Sequence, residues 1–242
     1  MRIGVVCEGP TDFHAIEGFL GEALIASGVE VEFEPIQPNL DQTLPSAGWG
    51  NVFSWLDRNP PEYRIRNYFG GGLFGGNLGR TKLDCLLIQM DSDILGELSF
   101  CTYVHENYKY PVSAPTSSAD RANEIRKILK VSSRFDEMTE ADISRHVLAP
   151  AVESTETWCV AAFKTPTRDF EVISQEELVN EFMSALEISE NRPLKDSYNN
   201  IDKNPLRRSK FCKVHKVGWA RVVDGCREFR LLFNDVLKIS KI

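Results

Sequence analysis

The chain has 242 residues, of which 42% are hydrophobic and 26% are charged, as in an ordinary globular protein. This length fits one substantial domain, or one domain with a small appendage. No apolar stretch approaches the roughly 18–20 residues that cross a bilayer, and the net charge of −7 argues against a general nucleic-acid coat protein.

The opening residues predict a strand, a helix and a second strand. Residues 2–8 are an apolar run that ends in Glu8, and because this strand starts almost at once we expect no secretory signal. Thr11 or Asp12 is suited to cap the helix, and residues 29–36 alternate as a strand. Strand–helix–strand is the unit of a parallel sheet.

The middle of the chain contains another buried strand, residues 83–90, which runs into an Asp-Ser-Asp motif. One short amphipathic helix is expected before it, around residues 49–56. Residues 94–118 are predicted to be irregular, because they contain prolines and a Ser/Thr cluster.

The rest of the chain is predicted to be mainly helical. The exception is an apolar stretch at 147–152, where Pro150 favours a strand at the edge of a sheet. A polar segment, 187–204, is expected to be a loop or linker. Helices are expected over 119–129, 140–146, 157–163, 176–186 and 226–237. We therefore predict an α/β domain over residues 1–165 and a helical, basic extension over 166–242 packed on it.

Acidic residues follow two of the predicted strands: Glu8 ends the first, and Asp91 and Asp93 follow the second. The carboxyl ends of parallel strands meet at one edge of a sheet, where ligands bind. If the chain is still extended there, Asp91 and Asp93 point to the same side. Mg²⁺ would relieve the repulsion among these carboxylates, which predicts a metal-dependent enzyme acting on phosphodiesters. The alternative for each acid alone is a solvated turn or capping residue.

This combination of motifs resembles the Toprim domain of topoisomerases, primases and several nucleases. That family places a glutamate after its first strand and an Asp-x-Asp after a later one, on a small parallel, Rossmann-like sheet. The Glu8-Gly9-x-Thr11-Asp12 opening is similar to small stand-alone Toprim-like proteins and to the overcoming-lysogenization-defect (OLD) nucleases, many of which are linked to antiphage defence. The resemblance covers residues 1–165.

The resemblance implies roles for particular residues. Asp91 and Asp93 would hold Mg²⁺ or Mn²⁺, and Glu8 would be a metal ligand or a general acid/base. Glu153 or Glu156 would complete a second metal position, since two ions about 3.5–4 Å apart stabilise both oxygens in phosphodiester cleavage. Glu156 is preferred, because the tryptophan two residues later would anchor its helix. The alternative for Glu156 is a helix-start acid favoured by the helix dipole.

A basic segment near the C-terminus predicts contact with a phosphate backbone. Residues 203–230 hold nine Lys or Arg against two acids, in an otherwise acidic chain. The alternative is a solvated helix face neutralised by the acidic body. Lys210 and Lys213 are candidates to stabilise charge on the scissile phosphate, as catalytic residues, or else are plain surface lysines. The expected nucleic-acid contacts are Arg207, Arg208, Lys210, Lys213 and Lys216.

The glycine-rich run at residues 70–79 is not a phosphate-binding loop of the G-x-x-x-x-G-K-[ST] type. Phe74 and Arg80 stand where that pattern requires glycine and lysine. The run is expected to be either a mobile loop beside the acidic edge, acting as a lid, or a flexible linker.

The six cysteines contain no CxxC pair, which favours a reducing, cytoplasmic setting. Three functional hypotheses stay open. The first is a metal-dependent nuclease acting on DNA or RNA. The second is an effector that an ATPase or sensor protein switches on, because no sensor or ATPase module is recognisable. The third is a non-catalytic, Toprim-like binding module. No membrane partner is expected.

Overall fold

Four parallel strands form a single sheet in the computed structural model, which describes residues 1–38, 48–70, 82–165, 169–192 and 202–241. The strands are β1 (Arg2–Val6), β2 (Glu32–Gln37), β3 (Cys85–Asp91) and β4 (His146–Ala151). Their order across the sheet is β2-β1-β3-β4, and every neighbouring pair is parallel. The predicted α/β fold with a small parallel sheet is thereby confirmed.

Helices connect the strands. The α-helices that precede β4 are α1 (Pro10–Ala15), α2 (Gly21–Ala26), α3 (Trp49–Arg58), α4 (Pro61–Arg64), α5 (Leu98–Tyr108), α6 (Ser118–Ser132) and α7 (Glu140–Ile143). Those that follow β4 are α8 (Glu156–Phe163), α9 (Gln175–Glu190), α10 (Pro205–His215), α11 (Trp219–Gly225) and α12 (Arg227–Ile239). Within the described ranges, no helix is both long enough and apolar enough to span a membrane.

Shorter helical segments complete the chain. The π-helical segment Ile16–Leu20 joins α1 to α2, and a second, Ile65–Phe69, continues α4. The 3-10 helices are Asp93–Gly96, Phe135–Glu137, Phe170–Val172 and Lys216–Gly218.

The two central strands, β1 and β3, are buried on both faces, which explains why they read as continuous apolar runs. The edge position of β4 confirms the expectation drawn from Pro150, which pairs in register with Met90. Because the strands are parallel, the residues that follow β1, β3 and β4 meet at one edge of the sheet. That edge is the carboxyl edge.

The side chains of β3 alternate between two hydrophobic cores. Cys85 and Leu87 belong to one, which also contains residues of α1, α8, α9, α10 and α12. Leu86 and Ile88 belong to the other, beneath α3, α5 and α6. In the first core Trp158 and Phe229 pack edge to face, with ring centroids 5.1 Å apart. The predicted C-terminal extension therefore shares a core with the sheet.

Several predicted boundaries differ from the structure. The segment expected to be irregular contains α5, which buries only Phe100 and Val104 and so carries a weak apolar pattern. The helix expected over 140–146 ends at Ile143, since His146 already starts β4. The glycine-rich run beyond Gly70, and residues 193–201 of the expected linker, lie outside the described residues.

Candidate metal site at the carboxyl edge of the sheet

Glu8 and Asp91 lie side by side at the carboxyl edge, as their positions after β1 and at the end of β3 predict. The backbone N–H of Asp91 donates a hydrogen bond to Glu8 Oε1 at 2.9 Å. Both residues are buried, with exposed fractions of 8% and 4%. Gln89, two residues earlier on the same side of β3, donates from Nε2 to Asp91 Oδ1 at 2.7 Å and so orients that carboxylate.

Asp93 is placed differently from the expectation. The argument for a shared side assumed an extended chain through residues 91–93, but Ser92 has helical dihedrals (φ −96°, ψ −7°) and Asp93 begins a 3-10 helix. Asp93 is therefore exposed at the rim rather than buried beside Asp91. The relative directions of the two carboxylates depend on the backbone of Ser92.

Asp12 is a fourth acid at this edge, and sequence reasoning treated it only as a helix cap. Gly9 occupies the N-cap position of α1 instead, and Asp12 lies inside the first turn with an exposed fraction of 4%. Its Oδ1 accepts a hydrogen bond from Thr155 Oγ1 at 2.7 Å. The signal that pointed to it was its place in the Glu8-Gly9-x-Thr11-Asp12 motif.

Burial and the charges of neighbouring carboxylates raise the pKa of all four acids. Burial, followed by the charge of Asp12, raises the pKa of Glu8 to about 8, although the hydrogen bond from Asp91 acts the other way. The pKa values of Asp91 and Asp12 also lie above their usual range, chiefly through burial. Partial burial raises the pKa of Asp93 to about 6, against the opposing charge of Lys203. An added cation would relieve this repulsion.

Glu156, which was predicted to be a metal ligand, is paired with a basic residue. It starts α8 with no exposed surface, and its Oε1 forms an ion pair with Arg208 Nη2. Burial alone would raise the pKa of Glu156, but the charges of Arg208 and Lys203 lower it to about 2. Arg208 therefore already supplies the positive charge that a metal ion would bring.

Arg208, which was expected to contact nucleic acid, is buried in the structure. Its exposed fraction is 1%, and its guanidinium packs over the Phe182 ring, 4.6 Å from the ring centroid. A buried guanidinium paired with Glu156 cannot reach a phosphate backbone in this arrangement. Arg208 instead connects α10 to α8.

Lys203 is a cation at the carboxyl edge, and sequence reasoning did not single it out. Its Nζ lies 3.7 Å from Glu156 Oε1, while 62% of its side chain is exposed. Burial lowers the pKa of Lys203, but neighbouring carboxylates, led by Glu156 and Asp91, raise it above its usual range. No periodicity marked this lysine, because it precedes the first turn of α10.

The other basic residues are spread over the surface of α10 and beyond. Arg207 pairs with Glu190 and Asp202, and Lys216 pairs with Glu22 at 2.7 Å. These pairs fit the alternative of a helix face neutralised by the acidic body. Lys210 and Lys213 are exposed. Lys213 borders a groove that is also lined by Glu17 and Glu22 rather than by the acids of the carboxyl edge.

The donor set suits a hard divalent cation. Carboxylate oxygens are the ligands that Mg²⁺ and Mn²⁺ prefer, and repulsion among buried acids favours binding of a cation. Among the described residues, no three His, Cys, Asp or Glu side chains lie close enough together to share one ion. An ion bound by two of these acids would therefore keep several water ligands, as Mg²⁺ usually does.

Comparison of the chain with protein-family models, curated proteins and solved structures gave no match. The relationship to Toprim domains therefore stays a prediction, based on the motifs.

The raised pKa of Glu8 predicts how stability depends on pH without metal. Folding raises this pKa from 4.5 to about 8, so the folded state holds the proton more tightly than the unfolded state. This contribution to the free energy of unfolding is complete below pH 4.5 and is lost as the pH rises to about 8. Urea unfolding in EDTA should show a smaller decline with pH for Glu8→Gln. The exposed control Glu62→Gln should follow the wild type, and equal slopes in all three proteins would contradict the prediction.

The buried pair of Glu156 and Arg208 predicts a stability effect in the same assay. Arg208→Met should lower the free energy of unfolding by about 3–5 kcal/mol, because it leaves a buried carboxylate without its main partner. The double variant Glu156→Leu/Arg208→Met should recover most of this loss, since an apolar pair of similar volume is often neutral. Lys238→Met, which breaks an exposed pair with Asp235, should change stability little. A loss below about 1 kcal/mol in the single variant would show that the pair is not needed.

Proposed function

We propose that this chain is a Toprim-type nuclease that uses Mg²⁺ or Mn²⁺ to hydrolyse phosphodiester bonds of DNA or RNA. The observation that carries the proposal is the group of acids at the carboxyl edge, Glu8, Asp12, Asp91 and Asp93, with raised pKa values and with Lys203 beside them. Glu8, Asp12 and Asp91 are buried, and buried like charges are costly unless a function requires them.

In this proposal Asp91 and Asp93 hold the cation, with Glu8 as the proton acceptor. A bound cation would stabilise charge on the phosphoryl oxygens and lower the pKa of a bound water. Without metal, the pKa of Glu8 is about 8. A cation bound beside it would favour the ionised carboxylate, which could then accept a proton from an attacking water. The hydrogen bond from Gln89 would keep the Asp91 carboxylate in one orientation.

We assign the stabilisation of the phosphate to Lys203 rather than to Lys213. The Lys203 side chain is largely exposed, and its ammonium lies near the acids of the carboxyl edge. It can therefore contact a phosphate that binds at these acids. Lys213 and Lys210, on the exposed face of α10, are then contacts for a more distant part of a nucleic acid. Such contacts would add affinity without reading sequence.

The proposal is tested by Mn²⁺ binding and cleavage with an Asp91→Asn/Asp93→Asn double variant. Calorimetry should show Mn²⁺ binding to the wild type, and loss of two carboxylates should abolish it. Cleavage of DNA and RNA should be lost in parallel. Asp136→Asn, at an exposed aspartate of the 3-10 helix Phe135–Glu137, should retain both. Undiminished cleavage by a folded double variant would refute the proposed site, and no Mn²⁺ binding by the wild type would favour a non-catalytic module.

The assignment of Lys203 predicts a separate kinetic result. Lys203→Ala should lower kcat by about 10²–10³-fold, the usual cost of removing one group that stabilises transition-state charge. KM for nucleic acid should change much less, and the exposed Lys130→Ala on α6 should match the wild type. Should Lys213→Ala lose kcat while Lys203→Ala does not, Lys213 would be the catalytic lysine instead.

A further inference from the structure

Glu153 has a backbone conformation that its neighbours must enforce. Its φ is +54°, in the left-handed region that residues with a Cβ rarely adopt. Among the described non-glycine residues with positive φ, the other three lie at or just after the ends of helices: Lys109 after α5, Arg134 after α6 and Asn191 after α9. That conformation commonly ends a helix. Glu153 ends no helix, because it lies between β4 and α8.

Three backbone hydrogen bonds hold Glu153 to the chain that follows β3. Its carbonyl accepts from the N–H groups of Ser92 and Asp93, both at 3.2 Å. Its own N–H donates to Ser92 Oγ at 3.0 Å. Ser92 is completely buried. Strained residues persist only where such contacts determine their conformation, and they cluster at functional sites.

Arg121, in the first turn of α6, closes this arrangement. Its Nη1 pairs with the Glu153 carboxylate, and its Nη2 donates to the carbonyl of Ser92 at 2.8 Å. The two side chains are mostly buried, with exposed fractions of 20% and 12%. One planar guanidinium therefore fixes α6, the residue between Asp91 and Asp93, and the residue after β4 relative to one another.

We propose that Arg121 is a positioning residue for Asp91 and Asp93, an inference that rests on the proposed metal-dependent nuclease function. The backbone turns at Ser92, so this residue sets the angle between the two carboxylates. Metal ligands must be held within about 0.5 Å of their productive positions. Arg121 holds Ser92 directly through its carbonyl and indirectly through Glu153. Its guanidinium is engaged by both partners, so it acts through them rather than by contacting substrate.

The test compares Arg121→Ala, Arg121→Lys and Glu153→Gly with the wild type. Loss of a residue that supports metal ligands typically lowers metal affinity or activity by about 10–100-fold, and we expect Arg121→Ala to weaken Mn²⁺ binding and kcat to this extent. KM for nucleic acid should change less than about twofold, because phosphate contacts are intact. Arg121→Lys should recover only part of the loss, because an ammonium lacks the guanidinium fork.

Glu153→Gly separates positioning from overall stability. Glycine adopts positive φ without strain and retains the three backbone hydrogen bonds, but it removes the partner of Arg121. We expect a loss of Mn²⁺ affinity similar to that of Arg121→Ala, with little change in Tm. Lys130→Ala, on the exposed face of the same helix, is the matched control. Addition of millimolar guanidinium should partly restore kcat to Arg121→Ala and not to Glu153→Gly.

The possible outcomes distinguish this inference from the function on which it rests. If the wild type neither binds Mn²⁺ nor cleaves nucleic acid, the proposed function fails and the inference fails with it. If the wild type does both and Arg121→Ala matches it, only the positioning role is overturned. A loss that is accounted for by the unfolded fraction of each variant would likewise show a merely structural role.

Discussion

Desolvation of like charges at the carboxyl edge of the sheet is the constraint on which the rest of this structure depends. Parallel strands bring Glu8 and Asp91 together, and α1 adds Asp12 from the adjoining turn. Each of these groups would be stable as an anion in water, but each is buried here. A buried carboxylate must take up a proton, gain a basic partner or bind a cation. The fold uses a basic partner at Glu156, whereas within the described part of the chain Glu8, Asp12 and Asp91 have no ion-pair partner within 4 Å.

The basic partner explains how the C-terminal helices are tied to the sheet. Arg208 forms its ion pair from α10 to the first turn of α8, and Phe182 of α9 covers the guanidinium. This contact lies within the core that also joins Trp158 to Phe229. A single buried charge pair thus connects the packing of three helices with the electrostatics of the carboxyl edge. Residues 166–242 are consequently part of the environment of the site.

What could be predicted from the sequence was local. The apolar runs ending at Glu8 and Asp91 predicted their strands, and the geometry of parallel sheets predicted that they meet. The sequence did not reveal the positions of three basic residues, Arg208, Lys203 and Arg121. A lysine or arginine has the same local sequence pattern whether it lies at the surface or beside a buried acid. The exposed position of Asp93 was missed for a related reason: the chain turns at Ser92, whose backbone is hydrogen-bonded to Glu153 and Arg121, residues distant in sequence.

The pKa values divide the acids of this edge into two groups with different chemistry. Glu156, compensated by Arg208, has a pKa of about 2 and stays ionised, so it neither exchanges protons near neutral pH nor needs a further cation. Glu8, with a pKa of about 8, exchanges protons near neutral pH and would be stabilised as an anion by a further cation. Environments that separate the pKa values of neighbouring carboxylates commonly assign them different roles. We therefore expect any divalent cation to bind on the side of Glu8, Asp91 and Asp93.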